Sequence, residues 1–413
     1  MGLRPTRRGW ALGLGGVALG LLGVGLGAVD LVRIGTLVVL LVVGACVLVG
    51  MLDPGRGRHR LAVARDVQPN PVHAGEHARV DVRIKASDPA ARVRLAGLRF
   101  SEQAATELSG GRPLRARVQR SPQQVTVSYQ VDAARRGRWQ LGPLVVTRGD
   151  PFGVARSSAT LGDHAEVVVW PAVVPLPTAS DVLVGEPDRV ALGARTPSTD
   201  DASLRDYREG DDLRRVHWRS SARRGALMVR SDERAGMRPV SVLLDLPAKL
   251  TALEWTISLA ASMALAMLDG GHPVRLVGGR AGTPSTFHQA RTGPTARTAL
   301  LDSTVDLEAP RTSDEAESHL LDAAHLLETT DAGGEIVLAV LGPLGASARA
   351  ALAHVADDAQ GWAVVRADGA SPAHEREAQH TVHALRRAGW RACTVSPGED
   401  IVGCWLRLLG SAR

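Results

Sequence analysis

Residues 203–233 read SLRDYREGDDLRRVHWRSSARRGALMVRSDE. Eight arginines fall between Arg205 and Arg230, and Asp206, Glu209, Asp211 and Asp212 are interleaved with them. Mixed charge of this kind is neither a self-repelling tail nor a plain solvated helix face. Tyr207 and Trp218 stand inside it although aromatic residues make up only 3% of the chain, so the segment is expected to pack against something. Gly210 among the acids predicts a turn over Glu209–Asp212. A short helical or irregular piece over Leu213–Arg224 and a strand from Leu227 to Arg230 follow. The stretch, 203–233, also divides two kinds of sequence, and the fold is read outward from it.

On its C-terminal side, residues 234–413 alternate between apolar runs and amphipathic stretches. Strands are predicted at Val240–Leu244 (VSVLL), Val274–Val277, Ile336–Leu341, Trp362–Val365 and Ala392–Val395. Helices are predicted at Thr251–Leu268, Glu315–Thr329, Ala346–Ala359, Ala378–Ala388 and Asp400–Leu409. Such alternation implies an α/β domain with a mainly parallel sheet and helices on both faces. Thr251–Leu268 is apolar enough to be mistaken for a membrane span. Glu254, Ser258 and Ser262, with strands on either side, favour a buried helix.

On the N-terminal side, residues 172–202 carry Pro175, Pro177 and Pro187 with weak periodicity and read as a connector. Residues 61–171 show period-two alternation, as in Ala78–Ile84, Val125–Val131 and Glu166–Val169, punctuated by Pro, Gly and Asp. That pattern predicts an antiparallel β-sandwich. Residues 10–52 are almost wholly apolar apart from Asp30 and Arg33. A helix crosses a bilayer with about 20 residues. Two spans, Trp10–Ala28 and Ile34–Leu52, are therefore expected, joined by a tight turn at Asp30–Arg33. A secretory signal peptide is the rival reading, and the second apolar run argues against it. The basic N-terminus, residues 1–9 with Arg4, Arg7 and Arg8, and the following Arg56, Arg58 and Arg60 put both ends in the cytoplasm by the positive-inside rule. The expectation is a multi-pass plasma-membrane protein with cytoplasmic soluble domains.

The 413 residues need more than one core. A net charge of +6 is modest, and the arginines are mixed with acids that would repel a phosphate backbone, so nucleic acid is not an expected partner. Cys46, Cys393 and Cys404 suggest neither a disulfide framework nor zinc. His374, His380 and His383 are read as surface residues rather than metal ligands. No phosphate-binding Gly-x-x-x-x-Gly-Lys loop and no Gly-x-Ser-x-Gly nucleophile turn is present, so no catalytic residue, cofactor or small-molecule substrate is expected.

Several residues of the arginine-rich stretch stand at fixed spacing: Arg205, Tyr207, Gly210, Asp211, Arg214, Trp218, Ser221, Ala222, Arg223, Leu227 and Val229. This pattern resembles the signature of the domain-of-unknown-function 58 family. Arg136–Trp139, Leu141–Leu144 and Asp150–Gly153 resemble the family's upstream region. The resemblance implies a C-terminal domain similar to von Willebrand factor type A domains, which often hold magnesium on Asp-x-Ser-x-Ser after the first strand. Here that position reads Asp245-Leu246-Pro247-Ala248-Lys249, with both serines missing, and no metal is expected. Family members commonly accompany MoxR-type AAA+ ATPases, which implies a non-enzymatic, membrane-anchored scaffold or adaptor for such an ATPase. Arg205, Tyr207, Gly210, Asp211, Arg214, Trp218, Ser221 and Arg223 then form either a docking surface or an internal hydrogen-bonded network. The alternatives are a metal-dependent or enzymatic α/β domain and, third, nucleic-acid binding through the arginines.

Overall fold

The computed structural model describes residues 3–53, 61–112, 114–177, 204–206, 221–222, 225, 228–230, 238–279, 286–289, 294–329, 334–367 and 372–410. They fall into two compact units, residues 1–172 and 173–413.

The first unit opens with a two-residue strand, β1 (Arg4–Pro5), followed by the helices α1 (Arg7–Leu26) and α2 (Val29–Met51). At 20 and 23 residues both are long enough to cross a bilayer. Only 17% of the apolar window of each is buried. The turn between them lies at Gly27–Ala28, not at Asp30–Arg33 as the sequence suggested. Gly27 takes the left-handed φ of 66° that ends α1, which a glycine adopts without strain. Asp30 then falls in the first turn of α2, where a carboxylate suits the positive end of the helix, and it pairs with Arg33 at 3.5 Å. The two helices touch through glycine. A Cβ built at Gly35 would lie 2.6 Å from the Gly16 carbonyl oxygen and 2.7 Å from the Gly20 nitrogen. Close approach of small residues is how apolar helices associate where there is no hydrophobic force between them.

Next come β2 (Leu61–Gln68), β3 (Val72–His73), β4 (His77–Ala86), α3 (Pro89–Ala96), β5 (Arg99–Ala104), α4 (Thr106–Ser109), β6 (Arg117–Arg120), β7 (Gln124–Asp132), β8 (Gly137–Gly149), β9 (Ala155–Leu161) and β10 (Ala165–Trp170). One sheet has the order β2-β4-β7-β6, the other β1-β9-β8-β10-β3 with β5 also on β8. Alternate residues of β4 (Ala78, Val80, Val82, Ile84) and β7 (Val125, Val127, Tyr129, Val131) share one core with Leu141, Leu144, Val146, Val167 and Val169 of the other sheet. The predicted sandwich was wholly antiparallel; the observed one has a parallel pair, β10 with β3. Inside it, Arg65 Nε donates to Glu102 Oε1 at 3.0 Å, and burial pushes the Glu102 carboxyl up while the Arg65 charge opposes the shift.

Both ends of the helix pair are tied to β9. Arg4 and Pro5 pair with Arg156 and Ala155, and Ser157 Oγ donates to Asp53 Oδ1 at 2.8 Å just past α2. The chain therefore enters and leaves the apolar hairpin at one place.

In the second unit, the ribbon β11 (Leu204–Asp206) and β12 (Met228–Arg230) is followed by β13 (Val240–Leu244), α5 (Leu250–Asp269), β14 (Val274–Gly278), α6 (Pro294–Val305), α7 (Ser313–Thr329), β15 (Ile336–Leu341), α8 (Ala346–Asp358), β16 (Gln360–Arg366), α9 (Pro372–Arg387), β17 (Arg391–Val395) and α10 (Ile401–Gly410). The five strands β14-β13-β15-β16-β17 are all parallel. Every residue of β13 and β15 is buried, as a sheet covered on both faces requires. The apolar window of α5 is 72% buried within this unit, so α5 is a core helix rather than a span. Helix α6 was not predicted, although Ala296, Leu300, Leu301, Thr304 and Val305 do recur at helical spacing. Of the predicted connector, Val174 donates to Ser262 Oγ and Pro177 accepts from the Trp405 indole, so residues 173–177 belong to this unit; the rest of it, 178–202, lies outside the described residues.

Placing a side chain at the hairpin seam should be destabilising. Gly35→Val is expected to cost about 1–3 kcal/mol through overpacking, read as a fall in the thermal midpoint of the detergent-solubilised chain. Gly44→Val, which meets nothing within 4 Å, should leave the midpoint in place.

Candidate functional site

The arginine-rich signature closes a short ribbon. Leu204, Arg205 and Asp206 pair antiparallel with Arg230, Val229 and Met228, so the two ends of the signature lie side by side. The predicted strand Leu227–Arg230 is present as β12; its partner β11 was missed because three residues reading LRD carry no alternation to detect. Ser221 is buried, and its carbonyl accepts from Gly225, which takes a φ of 71°. Tyr207, Gly210, Asp211, Arg214, Trp218 and Arg223 lie outside the described residues.

A second candidate stands at the carboxyl ends of the parallel strands. The strand order reverses between β13 and β15, because the chain runs first to β14 on one side and then to β15 on the other. In open α/β sheets the crevice at such a reversal is where ligands bind. Here it is a cleft of about 500 Å³. Its floor is Asp245 and the loop Gly342–Gly345; Arg311, Thr312, Ser313 and Glu317 come from the start of α7. Thr312 Oγ1 accepts from Glu315 N at 3.1 Å and Glu315 reaches back to the Arg311 N–H at 2.6 Å, which holds the rim in place. Ser347 Oγ donates to Glu317 Oε1 at 2.5 Å and ties α8 to the same rim.

Asp245 is held through its Oδ2 and its backbone carbonyl. Its Oδ2 accepts from Gly342 N at 2.7 Å and faces Arg366 Nη2 at 3.5 Å. Arg366 Nη1 also donates to the Asp245 carbonyl oxygen and, at 3.2 Å, to Thr256 Oγ1. The Arg366 side chain is 1% exposed, and that of Asp245 is 14% exposed. Residues 246–249 add no hydroxyl, and the Arg366 guanidinium already sets a positive charge 3.5 Å from the carboxylate. The residues present do not fit the magnesium centre that the von Willebrand resemblance would imply, and no group of three metal-ligating side chains occurs among the described residues. His374, His380 and His383 are exposed along α9. Cys393 and Cys404 are buried, and burial pushes their thiols up to about 11 and about 12.

Sequence reading singled out Asp245 but not Arg366. The signal was the same in both: the first charged residue at the end of an apolar strand. Their meeting depends on β13 and β16 flanking β15, which strand spacing along the chain does not reveal. Another buried pair, Arg275 with Glu335 at 3.2 Å, sits at the amino-terminal ends of β14 and β15, with Ser241 bridging and Phe287 under the guanidinium at 4.5 Å. That end of a parallel sheet carries stability rather than ligands.

Residues 203–358 match the family model described as protein of unknown function DUF58. The match is confined to that part of the chain. It takes in the signature, the cleft apart from Arg366, and the sheet as far as α8. Among curated proteins nothing matches. Among solved structures the chain is similar to the PilB minor pilin of Streptococcus sanguinis and to an aspartate-to-alanine mutant of that pilin. Each is 9% identical with a TM-score of 0.29, over 76% of this chain and 86% or 87% of the pilin.

Removing the arginine should leave the largely buried Asp245 carboxylate without its cation. Arg366→Met is expected to destabilise the α/β unit by about 3–5 kcal/mol. The Asp245→Asn, Arg366→Met double variant should recover part of that loss. Chemical denaturation of the two variants beside the wild-type chain in detergent checks both.

Proposed function

We propose that the protein is a non-enzymatic scaffold or adaptor anchored in the plasma membrane by α1 and α2, whose partner is a MoxR-type AAA+ ATPase acting on other proteins. The observation that carries the anchoring is the return of both helix ends to β9. A pair of exposed apolar helices that begins and ends at one strand is a hairpin, and the arginines at both ends support a cytoplasmic placement of that side. The α/β unit, on this reading, is similar to a von Willebrand type A domain that has lost its metal, since Arg366 neutralises Asp245 from within. Such a domain presents a rigid surface rather than a reacting centre. The arginine-rich signature supplies forked donors suited to an acidic protein surface.

Purifying the intact protein from its own host in detergent, with and without ATP, tests the proposal. An AAA+ ATPase is expected with the wild type and not with a folded Arg214→Ala, Arg223→Ala variant. Its absence in every condition would overturn the adaptor reading. If the variant fails to fold, the arginines form an internal network instead.

A second reading is favoured by the position of the cleft at the reversal of strand order: the α/β unit binds a small ligand there. A ligand of this cleft would raise the thermal midpoint of the wild-type chain. It would leave that of a variant with the cleft filled by Gly345→Trp unchanged.

A further inference from the structure

Phe152 is 63% exposed, and the turn that carries it is firmly built. The Asp150 carboxylate accepts from Phe152 N at 2.7 Å and from Ala155 N at 2.5 Å. Gly153 N donates to the Asp150 carbonyl at 3.2 Å, with Gly153 at a φ of 71°. An apolar side chain is thus held outside the core by a fixed turn instead of being folded back onto it.

The turn is fastened to the start of α1. Thr6 Oγ1 donates to the Gly153 carbonyl at 2.6 Å and Thr6 N to the Val154 carbonyl at 2.8 Å. Gly9 passes so close that a Cβ there would lie 2.1 Å from the Val154 oxygen. Phe152 is thus carried on a turn fastened to the start of α1, the helix on which Trp10 is 60% exposed. Beyond Trp10 begins the exposed apolar surface of the helix, with Leu12, Leu14 and Val17. Exposed arginines gather at the same corner: Arg4 faces Arg156 across the β1–β9 pair, and Arg7 and Arg8 open α1. A lone exposed apolar residue is ordinary on a water-facing surface. This one is held on a turn fastened to an apolar helix that opens with arginines and carries an exposed tryptophan, the combination that suits the headgroup region of a bilayer.

We propose that this corner is a lipid-binding patch: Phe152 inserts at the boundary of headgroups and acyl chains, and Arg4, Arg7, Arg8 and Arg156 meet anionic headgroups, which holds the β-unit against the membrane. The inference rests on the reading of α1 and α2 as spans, and the experiment separates the two. The full chain, with Cys46→Ala to remove the thiol in the hairpin, is reconstituted in phosphatidylcholine vesicles with or without phosphatidylglycerol. Cys393 and Cys404 are buried with raised thiols and label slowly. An environment-sensitive fluorophore is placed on Phe152→Cys or, as the control, on Val118→Cys, an exposed position on β6.

The label at 152 is expected to shift to the blue and to be quenched by lipids bearing a nitroxide near the headgroup, more strongly in the anionic vesicles. The label at 118 should do neither. If the label at 152 behaves like that at 118 while the chain resists alkaline extraction, the patch is refuted and the spans stand. A blue shift without lipid quenching would put Phe152 against protein and likewise refute it. Equal quenching in the two lipid mixtures would remove the arginines from the proposal. Release of the chain by alkali would overturn the spans themselves, and the patch with them.

Discussion

A parallel sheet covered on both faces leaves no water within reach of a stray charge, and the second unit is arranged around that constraint. β13 and β15 contribute no exposed residue. The charged side chains that the sheet does bring inside sit toward strand ends and are matched there. Arg275 meets Glu335 at the amino-terminal ends, and Arg366 meets Asp245 at the carboxyl ends. Breaking such a pair costs several kcal/mol where the remaining charge stays buried. The loops at the two ends are therefore held in place by ion pairs as much as by packing.

That arrangement has a consequence for chemistry. A carboxylate at the end of the first strand of an α/β unit, at the point where strand order reverses, is well placed to bind a cation or a ligand. In this chain the carboxylate is given to Arg366, Gly342 and, through the guanidinium, Thr256. What remains in the cleft is the rim of α7 and the glycine-flanked loop after β15. The polar groups of this site tie the ends of β13, β15 and β16 together.

The first unit meets a different constraint. Two helices with mostly exposed apolar surfaces must be joined to a β-unit without leaving unsatisfied backbone between them. The junction does this with few residues. Thr6 caps α1 by accepting from Gly9 and donates in turn to Gly153, while β1 extends the sheet through β9. Glycine at position 9 lets the helix come against the turn. The piece Asp150–Gly153, noted in the sequence only for its family resemblance, meets the helices alongside β9.

The sequence by itself determined the elements whose pattern is local. Apolar runs such as VSVLL and IVLAVL, the alternation of β4 and β7, and the two long apolar helices are legible because burial on both faces, on one face, or on none each leaves its own periodicity. It did not place the hairpin turn, since the left-handed glycine at 27 competes with the charged pair at Asp30 and Arg33 and only packing of Gly16 against Gly35 decides between them. It overlooked α6, whose apolar residues are few and mixed with Thr, Ser and Arg. Tertiary structure alone decided the meeting of Arg366 with Asp245, which are 121 residues apart, and the seating of Phe152 beside α1. Both depend on which strands become neighbours, and strand order is set by the burial of the whole sheet rather than by any stretch of chain within it.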